Sequence, residues 1–386
     1  MLTSLSKPQL SEQMRYWIPP LLSGMIALLL FTLLGHAPLL RAGAMSIAVI
    51  GVTASLRALG QLLCIVGGLT FALSPASWAQ ASGNLSIDSL SVGYVLVFAF
   101  GVAIIIFLFI SNRALYYAAI IGVTLTVVLV VILNESVRST RISNLLGAWL
   151  IYMLMIALRK TNPRPEAPPA KEISQRHQYA VLVLYLLGVF NDPLFSLYAP
   201  ALLIGLWLSR IHLPFWQWVV YGVMTFYGGV LFYRVYISNE WSFHLAQLLL
   251  DGSIAPPYLI LSGWRNTDRW IMLMREVANQ YTVVGAIISL FGIARFSRWH
   301  PPLSTMLLFG YGSFFVFGLM YFGPNETTYM IPLLGIQIIW LTYGVHSIGQ
   351  WILRYTQQTN STIPRFLTAL FLILPIVQLG RIITER

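Results

Sequence analysis

The sequence predicts an all-α fold, a polytopic transmembrane helical bundle, on three observations. Of its 386 residues 58% are hydrophobic, only 9% are charged, and the apolar residues fall in blocks long enough to cross a bilayer. A soluble domain carries roughly 25% charged residues, so the deficit means that most of the surface meets lipid. A mean hydropathy of +0.76 agrees.

A bilayer core of about 30 Å takes ~20 apolar residues per helix, because in lipid every backbone amide must be satisfied inside its own segment. Blocks that meet this rule run over 17–34, 90–110, 114–133, 142–158, 214–233, 281–294, 303–322, 329–350 and 366–380. The first follows sixteen polar residues and ends without a small-residue cleavage site, which predicts a retained anchor. Residues 42–73 form one apolar stretch broken by Arg57, either a long tilted helix or two short helices turning at the arginine. Residues 179–208 are interrupted by Asn191, Asp192 and Pro193, which predicts two half-helices. The total is 11 to 13 membrane segments. Three regions follow: helices over 1–158, a basic linker over 159–178, and helices over 179–386 with an outer loop at 234–280.

Lys and Arg in short loops set the expected orientation. Arg159, Lys160, Arg164, Lys171 and Arg176 crowd the Pro-rich linker, which is therefore assigned to the cytoplasm with the N-terminus. The net charge of +11 fits cytoplasmic loops and anionic headgroups. No basic run is long or interleaved with aromatics, so nucleic acid is excluded as a partner. The 12 Trp and 19 Tyr are expected as belts at the two interfaces. The lone Cys64 leaves no disulfide and no cysteine metal cluster. No nucleotide loop, zinc motif or nucleophile elbow occurs. Four Asn-x-Ser/Thr triplets, at Asn84, Asn134, Asn325 and Asn360, matter only in a secretory pathway.

An ionisable group at membrane depth costs about 2.5 to 3.5 kcal/mol on insertion scales, so those present mark candidate sites. Asp192 between two half-helices would bind a cation or act as a base; the plainer reading is an N-cap in an interfacial turn. The loop Ser74 to Gln80 ends a helix at Ser-Pro, and Asp88 then stands in or just before the first turn of the next helix, where negative charge is favoured. A plain interfacial turn is the alternative. The segment from Tyr233 to Gln280 mixes Trp241, Trp264 and Trp270 with Arg234, Arg265 and Arg269. Such a segment suits surface helices gripping a phosphorylated headgroup, since the planar guanidinium bonds phosphate bidentately. It suits an ordinary solvated loop equally.

Phe71 to Ala81, F-A-L-S-P-A-S-W-A-Q-A, resembles a motif of the C-type membrane glycosyltransferases, in the bacterial branch related to protein O-mannosyltransferases and known by a domain of unknown function. Tyr179 to Arg210 is similar to that branch's paired half-helices ending in Pro-Ala-Leu-Leu, here Pro200 to Leu203. Leu231 to Ile237 resembles the aromatic and arginine stretch that opens its outer loop. Gly323 to Pro332, G-P-N-E-T-T-Y-M-I-P, resembles a late loop and helix start, and Pro19-Pro20 stands where the family has His-Pro-Pro. The resemblance implies a polyisoprenyl-phosphate sugar as substrate, Asp88 or Asp192 as base, and Arg234, Arg265, Arg269, Asn325 and Glu326 as lipid-phosphate or substrate ligands. A divalent cation is the one cofactor it leaves open. Members carry an acidic first outer loop, typically Gly-Asp-x-x-Glu, to activate the acceptor. This chain has only Glu12 before its first apolar block.

Two functions are therefore expected as alternatives. One is a multi-pass glycosyltransferase-like enzyme of the bacterial plasma membrane, working on the outer face. The other is a non-catalytic subunit, assembly factor or lipid-binding partner within a larger membrane complex, its partners being membrane lipids and other membrane subunits. A transporter ranks third, since no pair of matching broken helices repeats between the two halves.

Overall fold

A computed structural model describes residues 7–82, 139–161, 173–209, 213–234, 259–321, 329–356 and 362–384. Among these residues the chain is helical, the one extended pairing being an isolated antiparallel bridge between Leu259 and Tyr321. We number the described helices α1 (Lys7–Leu29), α2 (Leu39–Leu56), α3 (Gln61–Ala72), α4 (Pro75–Ala81), α5 (Ser139–Thr161), α6 (Gln175–Asn191), α7 (Ala199–Leu208), α8 (Phe215–Phe232), α9 (Thr267–Trp299), α10 (Pro301–Met320), α11 (Ile331–Thr356) and α12 (Thr362–Thr384). Among the described residues seven helices are long and apolar enough to cross a membrane, or eight spans if the bent pair α3 and α4 counts as one. The protein is thus an all-helical, multi-pass membrane protein. The blocks at 90–110 and 114–133 lie outside the described residues.

The stretch broken by Arg57 resolves into two helices. α2 ends at Leu56, a 3-10 turn spans Arg57–Leu59, and Gly60 at φ 119° reverses the chain into α3. Only glycine takes that φ without strain, so the turn is fixed by Gly60 as much as by the arginine. The guanidinium of Arg57 lies 3.3 Å from the ring centre of Tyr16 and 4.7 Å from that of Trp17, and donates to the Tyr152 hydroxyl at 2.7 Å. A cation–π cage of this kind holds the charge at the edge of the hydrocarbon.

The second broken stretch also forms two pieces. α6 stops at Asn191, Pro193–Tyr198 is a 3-10 turn, and α7 follows directly. Phe195 of the turn folds back onto Gly188, where a Cβ would sit 2.2 Å from its ring.

Without a hydrophobic drive between helices in lipid, close approach and small residues hold a bundle together. α9 and α11 cross where Gly292 faces the Trp340 carbonyl and Gly344 faces the Ile288 carbonyl, both too near for any Cβ. α2 meets α1 through the hydroxyl pair Ser23 and Thr53 at 2.8 Å, with Gly68 of α3 against Thr53. The main apolar core runs from Phe31 and Met45 through Leu150 and Leu202 to Trp340, and a smaller cluster joins Leu194, Phe317, Tyr321 and Tyr329.

Helix ends gather at two poles. At the first, Phe31 packs on Trp78, Arg41 donates to the Ser82 carbonyl, and Arg141 donates to the Gln80 carbonyl. At the second, Arg57 meets Tyr152, Arg159 donates to the Ser55 carbonyl, and Trp299 stacks on Tyr343. The linker 162–172 lies outside the described residues, and arginines stand at both poles.

Candidate functional site

α3 ends at Leu73 because Pro75 has no amide hydrogen to extend it, and Ser74 turns the chain with its hydroxyl on the Phe71 carbonyl at 2.8 Å. α4 then leaves at 67° to α3. Its first turn would expose unpaired N–H groups inside the bundle. Gln280 of α9 answers this: its Oε1 accepts from the Ala76 amide at 2.9 Å, while its own carbonyl accepts from Gln378 Nε2 of α12 at 2.7 Å. One glutamine thus ties three helices together at the first pole.

Around this junction opens a cleft of about 710 Å3. Its polar wall includes His36, Gln280, Gln378 and Arg381, and Trp78 and Leu73 contribute apolar surface. The Oε1 atom of Gln378 is buried and has no hydrogen-bond partner among the described residues. Two non-glycine residues among the described ones have positive φ, His36 at 47° and Thr282 at 63°, and both line this cleft. At Thr282, α9 kinks, so that what continues as one helix in sequence bends at the cleft floor. Strained backbone of this sort is found at ligand-holding sites more than elsewhere.

The cleft continues downward. Thr282 and Val377 belong also to an apolar groove of about 460 Å3 between α9, α11 and α12, walled by residues such as Ile288, Leu341, Phe371 and Leu374. Val345 and Leu367 of that groove are shared with a third hollow of about 420 Å3 at the second pole, beside Gly60, His346 and Gln350. The three hollows thus follow one another along α12 from the first pole to the second, each sharing lining residues with the next. No carboxylate lines the cleft or the groove among the described residues.

The residues singled out in the sequence are distributed differently. Asp192 is buried at 2% exposure and does not border the cleft. Its Oδ1 accepts from the Leu194 amide at 2.9 Å, so the N-cap reading of the turn is correct as geometry. Arg269 is buried, and its Nη2 donates to the carbonyls of Gly318 (2.8 Å) and Tyr321, joining the start of α9 to the end of α10. Arg265 is exposed in the turn Gly263–Arg265 and lies 5.1 Å from the Trp264 ring. Arg234 is half-buried two residues past the end of α8. None of these arginines lines the cleft. Asp88, Asn325 and Glu326 lie outside the described residues.

His36, Gln280, Thr282, Gln378 and Arg381 were not reached from sequence. Each is a polar residue at the edge of an apolar block, and only the packing of α1, α4, α9 and α12 brings them together. Among the described residues no group of His, Cys, Asp and Glu is placed to hold a metal ion. Comparison with family models, with characterised proteins and with solved structures finds no match to this chain.

Proposed function

We propose that the protein binds a lipid bearing a phosphorylated, sugar-containing head, the head in the cleft at the first pole and the chain in the groove beside α12. The observation that carries this is the continuity of a polar, strained cleft with a full-height apolar groove. Arg381 and His36 would face the phosphate, and Gln378 would supply an acceptor to sugar hydroxyls.

Following the resemblance of Phe71 to Ala81, the lipid is a polyisoprenyl-phosphate sugar. The scaffold is that of a C-type glycosyltransferase with 11 to 13 segments, set in a bacterial plasma membrane with the N-terminus in the cytoplasm and the cleft outside. Transfer would join the acceptor oxygen to the sugar carbon, break that carbon's bond to the phosphate oxygen, and give the hydroxyl proton to a base. Asp88 is the better candidate base, because Asp192 is sealed away from the cleft. The second reading, a non-catalytic lipid-binding subunit, is favoured by the absence of any carboxylate from the described cleft wall.

The test is native-nanodisc purification followed by mass spectrometry of bound lipid and protein. A retained phosphorylated polyisoprenoid, lost in the Gln378→Leu, Arg381→Glu double variant, supports the proposal. Bulk phospholipid alone, in proportions unchanged by the double variant, refutes it. Between the two readings, transfer activity lost in Asp88→Asn selects the enzyme. A fixed set of co-purifying membrane proteins without activity selects the subunit.

A further inference from the structure

A buried carboxylate without a counter-charge is expensive in a low-dielectric interior, by several kcal/mol even after relaxation. Asp192 is such a group. It makes one sound hydrogen bond, from the Leu194 amide, and no described cationic side chain pairs with it. Its other oxygen, Oδ2, stands 3.5 Å from Ser143 Oγ. That is well beyond the roughly 2.5–3.0 Å of a hydroxyl–carboxylate bond. It is close to the separation of two neighbouring ligands at right angles around a hard cation, about 3.4 Å when each oxygen lies about 2.4 Å from the ion.

The space for such an ion is present. Ser143, Asn144 and Asp192 line a cavity of about 20 Å3 together with Phe195, Tyr198 and Phe314. A cavity of that size takes one water-sized body and no more. Asn144, at 6% exposure, lines it, and its amide nitrogen is buried without a partner. A half-turn of that amide, which exchanges its oxygen and nitrogen, turns an acceptor to the cavity instead. Ser143 is held in position by Asn191, whose Nδ2 donates to Ser143 Oγ at 2.9 Å and leaves the second lone pair of the hydroxyl for a further contact.

We propose that Asp192, Ser143 and Asn144 bind a single monovalent cation of the sodium class in this cavity, pinning the broken helix α6–α7 to the start of α5. Charge decides the valence: one carboxylate neutralises one unit, and a divalent ion would leave a net positive charge buried among aromatic rings. The site is separate from the lipid cleft, and its fate does not depend on that reading.

The test is thermal unfolding of the purified full-length chain in sodium chloride against choline chloride at equal ionic strength. The expected result is a saturable rise in midpoint, on the order of 5 °C, in sodium. Asp192→Asn should have the same midpoint in both salts, and Ser143→Ala should need at least tenfold more sodium for the same rise. If Asp192→Asn does not fold, Ser143→Ala carries the test alone. A wild-type midpoint equal in both salts overturns the proposal. So does a full sodium response in either variant, or a rise with calcium where sodium gives none.

Discussion

Thr282 and His36 occupy a left-handed conformation that costs a non-glycine residue about 1–3 kcal/mol, yet both edge the same cleft. Removing the strain should therefore stabilise the fold while loosening the site. Thr282→Gly is expected to raise the unfolding midpoint by a few degrees, equivalent to about 1 kcal/mol, and to lower lipid retention on native purification. Gln280→Ala should act in the opposite direction. It leaves the Ala76 amide unsatisfied in the bundle, at about 1–3 kcal/mol, and thermal unfolding would read this as a lower midpoint. Asp192 was visible in the sequence because an acid beside Pro193 interrupts an apolar run. Ser143 and Asn144 were not, since they lie on another helix and look like ordinary polar residues in the first turns of α5. The strain at Thr282 left no trace in the sequence either: a β-branched residue is the last one that pattern reading would assign to positive φ.

At the level of elements, the break at Asn191–Pro193 was legible, the one at Arg57 was only one of two readings, and the kink in α9 was not. Arg57 and the Asn191–Pro193 run are polar or helix-terminating and interrupt hydrophobicity, so the breaks show in composition. The α9 kink sits at the boundary between a mixed segment and an apolar block, and there the sequence suited surface helices or a solvated loop up to Gln280. The helix instead begins at Thr267, capped by Asn266, whose side chain accepts from the Asp268 amide at 2.9 Å. The crossing of α9 on α11 is a close backbone approach. Gly292→Leu would force a side chain into the Trp340 carbonyl, which a Cβ would already approach to 2.0 Å. Overpacking of this kind costs about 3 kcal/mol. The expected outcome is a sharp fall in monodisperse protein on size-exclusion chromatography, against near-normal yield for Gly222→Ala, whose Cβ would meet nothing within 4 Å.

For the whole molecule, composition sufficed for a multi-pass helical protein, since nothing else accounts for 58% hydrophobic residues with 9% charged ones. The orientation expected from the basic linker, with the N-terminus in the cytoplasm, is a matter for direct labelling. Among the described residues Arg41 and Arg141 stand at the first pole and Arg57 and Arg159 at the second. Cys64 is buried and is the sole cysteine, which makes labelling clean once it is replaced by alanine. In that background, Arg381→Cys is expected to react with an impermeant maleimide from outside the cell, and Gln350→Cys only after the membrane is opened. The reverse pattern would invert the assignment.

α12 touches the rest of the bundle along a narrow strip, leaving Leu370, Ile373 and Val377 about half exposed beside the groove. A lipid bound as proposed would never need to enter water: it would slide in from the surrounding hydrocarbon, exchanging one oily neighbour for another. Burying its tail then yields almost no driving force, because lipid chains are as apolar as the leucines they replace. Recognition must rest on the head, and tails of different length should compete nearly as equals. The occupant's rivals are the thousands of ordinary lipids diffusing past the same opening, and the few polar atoms around Gln378 and Arg381 are what would tell it from them.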